Sequence, residues 1–85
     1  MSELPVRVMV LDTWDEIPLA VSPELPIVEL KRRALVAAKV RRPAERYEVK
    51  FRGAVVPEGD STVAEVGLVP NSQLIVLPSR RRPAR

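Results

Sequence analysis

Alternation of apolar and polar residues over two neighbouring segments constrains the fold of this chain most. In VRVMVL (residues 6–11) every second residue is a valine, and EIPLAVS (residues 16–22) alternates in the same way. A period of two residues is typical of β-strands that have one buried face. The short polar stretch DTWD between them supplies turn residues, so the two segments predict an antiparallel hairpin. Pro18 has no N–H to donate to a ladder, and we therefore expect the second strand to lie at a sheet edge.

A single amphipathic helix is predicted after the SPELP stretch. Pro26 stands near its first position, where a missing N–H costs little because the first turn has no intrahelical acceptor for it. Apolar residues then recur at spacings of three and four, which marks one face of a helix. Arg42 precedes Pro43 and is disfavoured in helical geometry, so the helix is expected to end near Val40. The predicted buried face consists of Ile27, Leu30, Ala34, Ala37 and Ala38.

Two further strands and one short helical turn complete the chain. YEVKFRG and QLIVLP alternate as strands do, and AVVPEGD between them is predicted to be a loop. Thr62 and Glu65 have the spacing of a capping box and Gly67 provides a stop, which predicts one helical turn. The order β-β-α-β-turn-β predicts an α+β domain, in which one helix packs on one face of a mixed sheet.

The residue types that are missing exclude most catalytic and metal-binding chemistry. The chain has no cysteine and no histidine. This excludes thiol nucleophiles, disulfides, serine–histidine relays and zinc sites built on cysteine or histidine. Asp12, Asp15 and Glu16 cluster in the hairpin turn, where carboxylates are ordinary turn residues, and they lack the spacing of a cation-binding loop. We therefore expect no enzyme activity, no cofactor and no metal.

Two long segments resemble ubiquitin. VSPELPIVELKRRA (residues 21–34) is similar to the exit of ubiquitin's second strand, its proline and its helix start. FRGAVVPEGDSTVAEVGLVPNSQLIVL (residues 51–77) is similar to the part of ubiquitin from the third strand to the last. The resemblance implies a ubiquitin-like β-grasp domain over residues 1–79. The basic segment that follows, residues 80–85, is expected to be a disordered tail.

The end of the sequence departs from the ubiquitin pattern. Ubiquitin and the sulfur-carrier β-grasp proteins end in a diglycine whose carboxylate is adenylated, and only a terminus without side chains threads the activating enzyme. Arg81 and Arg82 stand about where those glycines would fall, and no glycine occurs after Gly67. We therefore expect a protein that is not conjugated. A ubiquitin-like modifier or sulfur-carrier relative, activated by an adenylating enzyme, is the alternative.

The open face of the sheet is the predicted protein-binding site. Strand parity sends the following side chains away from the helix: Arg7, Met9, Leu11, Lys50, Arg52, Ile75 and Leu77. Four apolar side chains in a basic frame on neighbouring strands predict a contiguous patch. Lys50 and Leu77 match an isoleucine and a valine of ubiquitin's apolar patch, so ubiquitin receptors are not expected to bind. Two interpretations of Trp14 stay open, a binding anchor or a side chain folded over the end of the sheet.

Net charge is concentrated in the tail. Residues 1–79 hold ten basic and eleven acidic residues, and four arginines follow in the last six positions. Arg80, Arg81, Arg82 and Arg85 are a candidate contact for an anionic partner. They lack interleaved aromatic residues, so a nucleic-acid partner is not expected. A β-grasp RNA-binding module that uses this tail is a second alternative.

The sequence of the final third of the chain resembles a more specific group of ubiquitin-like proteins. TVAEVGLVPNSQL is most similar to small bacterial ubiquitin-like proteins associated with type VII secretion, which implies a non-conjugated accessory factor. No apolar run reaches the length of a membrane span, and MSELPVRV lacks the layout of a signal peptide. We therefore expect a cytoplasmic protein without membrane insertion, as a monomer or weak dimer, that binds a protein through the open sheet face.

Overall fold

A mixed sheet with one helix across it forms the body of the protein. The structure is a computed structural model that describes residues 3–57 and 61–79; the predicted tail, residues 80–85, lies outside the described residues. Within this part of the chain the strands are β1 Leu4–Val10, β2 Asp15–Val21, β3 Tyr47–Phe51, β4 Ala54–Val55 and β5 Ser72–Pro78. The helices are α1 Ile27–Ala37 and α2 Val63–Val66, and a 3-10 turn spans Ala44–Arg46.

The strand order in the sheet is β2-β1-β5-β3-β4. β1 and β5 are parallel at the centre, while β2 pairs with β1, and β3 with β5 and β4, in antiparallel fashion. The hairpin, the helix and the last strand are therefore confirmed. Pro18 lies in β2 at the edge of the sheet, as its missing N–H requires.

The prediction of a simple loop after the third strand was wrong. Ala54 and Val55 form β4, paired with Phe51 and Lys50. The two residues between the strands adopt positive φ angles, 58° at Arg52 and 83° at Gly53. Positive φ at both central residues is the geometry of a type I′ hairpin turn, whose twist matches that of paired strands. The AVV run carries no alternation, so its pairing is set by this turn.

Helix α1 ends earlier than predicted because a left-handed residue closes it. Lys39 has a φ of 64°, and its N–H donates to the Val36 carbonyl at 3.0 Å. The Val40 N–H donates to the Leu35 carbonyl at 2.9 Å. This pair of bonds is a Schellman motif, which satisfies the last carbonyls and ends the helix at Ala37, three residues before the predicted end at Val40.

The buried face of α1 differs from the predicted stripe at three positions. Ala37 was expected to be buried but is exposed, because it lies at the margin of the stripe on the solvent side. Leu35 and Lys31 are buried instead. The Lys31 Nζ donates to the Tyr47 carbonyl at 2.9 Å, which links the helix to the start of β3.

The predicted capping box of α2 is confirmed. The Thr62 Oγ1 accepts from the Glu65 N–H at 3.2 Å, and a Glu65 side-chain oxygen accepts from the Thr62 N–H at 3.0 Å. Gly67 ends the turn at a φ of 92°, where a Cβ would be strained.

The core lies between α1 and one face of the sheet. Seven strand residues were expected on this face, and the structure buries or partly buries all of them: Val6, Val8, Val10, Val49, Phe51, Leu74 and Val76. None of the helices described for this chain is long and apolar enough to cross a membrane. Since α1 packs on one face of the sheet, the opposite face is left open as far as residues 3–57 and 61–79 are concerned.

Candidate binding site on the open sheet face

Strand register assembles a row of side chains across the centre of the open face. Met9 in β1 pairs directly with Ile75 in β5, and Ile75 pairs with Lys50 in β3. The Leu11 N–H donates to the Val76 carbonyl at 3.0 Å, which continues the parallel register and places Leu11 level with Leu77. The predicted apolar residues are therefore contiguous on two neighbouring strands.

A shallow groove of about 690 Å³ lies over this row. Met9, Leu11 and Ile75 contribute its apolar surface, and Lys50 and Arg52 line it as cations. Ile75 is 38% exposed, although it stands on the central pair of strands. Two predicted site residues, Arg7 and Leu77, face the same side but do not line the groove.

Trp14 is exposed and contributes to the groove. Its side chain is 74% exposed, so it is not folded over the end of the sheet. The backbone at Trp14 has a φ of 57°, in the left-handed region that favours glycine or asparagine. A bulky residue in this conformation costs of order 1 kcal/mol or more, and such strain concentrates at functional positions. The turn therefore holds a large aromatic side chain in solvent at a cost to stability.

The charged frame of the open face is mixed, and the expectation of a basic frame was wrong. Glu48 lies directly across from Leu77, and Glu16 lies across from Met9. Glu16 forms an ion pair with Arg7 at 3.9 Å and accepts a hydrogen bond from the Gln73 Nε2 at 3.1 Å. Strand pairing causes this difference. Glu16 in β2 and the outward-facing Glu48 in β3 each lie beside an apolar residue of the open face.

Two apolar residues of this region were missed from the sequence. Val55 pairs with Lys50 and so shares the open face, and it is 52% exposed. Val69 precedes β5, lines the groove and is 53% exposed. Neither residue belongs to an alternating run. The sequence signal for Val55 is Gly53, because glycine suits a central position of a type I′ turn and so favours a hairpin after β3.

The carboxylates of Asp12 and Glu16 in the hairpin region contact different partners. Asp12 accepts a hydrogen bond from the Tyr47 hydroxyl, whereas Glu16 is bound by Arg7 and Gln73. Burial raises the pKa of Tyr47, and the carboxylate of Asp12 raises it further. Among the described residues no three acidic side chains come together as a cation site. The contact between Asp12 and Tyr47 instead ties the hairpin turn to the start of β3.

Comparison with solved structures identifies the fold. A ubiquitin from Caldiarchaeum subterraneum superposes with a TM-score of 0.77 at 10% identity, covering 93% of this chain and 96% of that one. A ubiquitin-like domain of an Arabidopsis thaliana protein gives 0.78 at 15% identity, covering 100% of this chain and 86% of that one. The UBL domain of Plasmodium falciparum Dsk2 gives 0.73 at 19% identity, covering 91% and 99%.

No protein-family model matches the chain, and no curated protein matches it in sequence. The structural likeness shows the fold alone. That fold is ubiquitin-like, an α+β arrangement with a mixed five-stranded sheet and a helix packed on it, so the expected fold class is confirmed.

Proposed function

We propose that this chain, which has a ubiquitin-like fold, binds a protein partner non-covalently through the open face of its sheet. It acts as an interaction module or accessory factor and not as an enzyme. The observation that carries the proposal is the apolar row of Met9 and Ile75, joined in one groove by the strained and exposed Trp14. Tryptophan anchors surrounded by apolar contacts supply much of the energy of protein interfaces.

The groove suits a protein surface better than a small molecule. Its floor is one face of a sheet and it is open to solvent, whereas small-molecule sites bury most of the ligand. The apolar centre and the charged rim of Lys50, Arg52, Glu16 and Glu48 match the anatomy of protein interfaces. Cations and carboxylates on one rim favour a partner whose own charges are mixed.

Ile75→Glu is the sharpest test of this surface. The new carboxylate lies across from Lys50, so it stays hydrated and near a cation in the free protein, and the free energy of unfolding should change by less than about 1 kcal/mol. Against an apolar partner the carboxylate must be desolvated, so capture of the partner should fall at least tenfold. Leu77→Glu is less suitable because Leu77 is half-buried and faces Glu48.

Val36→Glu is the matched control. Val36 is 68% exposed on α1, on the other side of the sheet, and receives the same side chain. Each variant serves as bait in native cell extract, and captured proteins are quantified by mass spectrometry. A partner lost by Ile75→Glu and kept by Val36→Glu supports the proposal. A partner lost by Val36→Glu and kept by Ile75→Glu overturns it.

The same capture experiment tests whether the chain is joined covalently to its partner. The 85 residues contain no adjacent glycines, which an adenylated modifier would use, so we propose that the captured complex dissociates in boiling detergent. A covalent adduct that survives would favour the modifier or sulfur-carrier alternative.

We further propose, on the likeness of TVAEVGLVPNSQL, a cytoplasmic role in bacterial type VII secretion. Recovery of components of that apparatus with the bait supports this role, and their absence among captured partners counts against it.

A further inference from the structure

Positive charge on the body of the protein is concentrated on the helix side. Residues 27–46 contain seven basic and two acidic residues, whereas residues 3–26 contain one basic and five acidic residues. Over residues 1–79 as a whole the positive and negative charges nearly cancel, so the net charge does not show this difference between the two segments. The α1 segment packs on the covered face of the sheet, so its outer surface lies away from the open face.

The most positive part of this segment is the end of α1 and the turn that follows. Arg32 and Arg33 both contact Glu29, at 3.5 and 3.6 Å, and are partly neutralised. Lys39, Arg41 and Arg46 are exposed, and within the described residues no carboxylate lies at ion-pair distance from them. The 3-10 turn that carries Arg46 contacts α1. We name Lys39, Arg41 and Arg46 the basic surface.

We propose that the basic surface binds the phosphate backbone of duplex nucleic acid, without sequence specificity. Arginine presents a planar fork of N–H donors that matches phosphate oxygens. These three cations follow the end of α1 and have no carboxylate partner in the described part of the chain, so they suit a linear polyanion, whose phosphates recur along its length. The proposal is independent of the proposed protein site, because none of these three residues lines the groove of the open face.

The chemistry around the basic surface disfavours other anionic partners. Residues 38–46 contain no aromatic side chain on which an unpaired base could stack, so a duplex backbone is favoured over a single strand. Val36 is the one large apolar side chain of α1 that is more than half exposed, and a single valine provides little insertion into a lipid surface. An acidic protein would require an apolar interface centre, which this surface lacks.

The test measures the anisotropy of a fluorescent 20-base-pair DNA duplex of mixed sequence, titrated with the full chain at several salt concentrations. Three phosphate contacts predict a loss of affinity of roughly 40-fold between 50 and 200 mM salt, because each contact contributes about −0.9 to the slope of log K against log salt. The double variant Arg41→Gln/Arg46→Gln should reduce that loss to roughly threefold and weaken binding at 50 mM salt by at least tenfold.

A second double variant removes the same charge from the open face. Arg7→Gln/Arg52→Gln lowers the net charge equally and should keep the salt slope of the unaltered chain. Both variants replace exposed side chains, and equal unfolding midpoints verify that they fold. Deletion of residues 80–85 tests the tail. The shortened chain should still bind the duplex with an affinity that falls as salt rises, and adding Arg41→Gln/Arg46→Gln should make that fall smaller.

Three results would overturn the proposal. One is an equal loss in both double variants, which would indicate general charge attraction. Another is binding that disappears with the tail alone. The third is tighter binding to vesicles containing phosphatidylserine than to the duplex, with the same dependence on Arg41 and Arg46, which would make the surface a membrane contact.

Discussion

At the scale of single residues, Trp14 is where stability and the proposed function oppose each other. Its φ of 57° favours glycine, and its ring is too exposed to repay the strain by packing in the free protein. The sequence indicated a turn here and left the position of the ring open, because nothing in DTWD specifies which turn residue is left-handed. That conformation depends on the four-residue connection between Val10 and Asp15, which pair directly.

Two substitutions of Trp14 separate the strain from the contact. Trp14→Gly and Trp14→Ala both remove the ring, so both should weaken capture of the partner by about 30-fold or more, as loss of a hot-spot residue does. Only Trp14→Gly also relieves the backbone strain, so its free energy of unfolding should exceed that of Trp14→Ala by about 1 kcal/mol. Urea denaturation measures this difference. Full partner capture by either variant would remove Trp14 from the site.

At the scale of elements, the turns set those boundaries and strand pairings that the spacing of apolar residues does not predict. The strands and α1 follow from spacings of two and of three to four residues, and the capping box of α2 is local in sequence. Two features that were missed, β4 and the early end of α1, are both set by residues with positive φ, Arg52–Gly53 and Lys39. Neither Arg nor Lys is a typical left-handed residue, so the sequence gives little signal for either.

Lys39→Gly tests the proposed end of α1. Glycine adopts the left-handed C′ position without a Cβ penalty, so the variant should be about 0.5–1 kcal/mol more stable than the unaltered chain. Ala37→Gly is the control, since it places glycine inside the last helical turn and should destabilise by about the same amount. Thermal unfolding should therefore shift in opposite directions. A lower midpoint for Lys39→Gly would contradict the Schellman motif.

At the scale of the whole molecule, the two faces of the sheet have different surroundings. Strand parity was sufficient to predict which side chains meet α1 and which face outward, because a period of two leaves only two choices. It was insufficient for the frame of the open face, since Glu16 and Glu48 come beside Met9 and Leu77 only through strand register. The segregation of charge onto the helix side likewise depends on where the segments lie in space.

The most direct measurement of the central claim maps the contact on the protein itself. The ¹⁵N-labelled chain is titrated with its purified, unlabelled partner, and amide chemical shifts are followed. We predict that the largest changes occur at Met9, Leu11 and Ile75 and at the indole N–H of Trp14, while α1 changes little. Changes centred on the outer surface of α1, with Met9, Ile75 and the Trp14 indole unaffected, would contradict the assignment of the open face as the binding site.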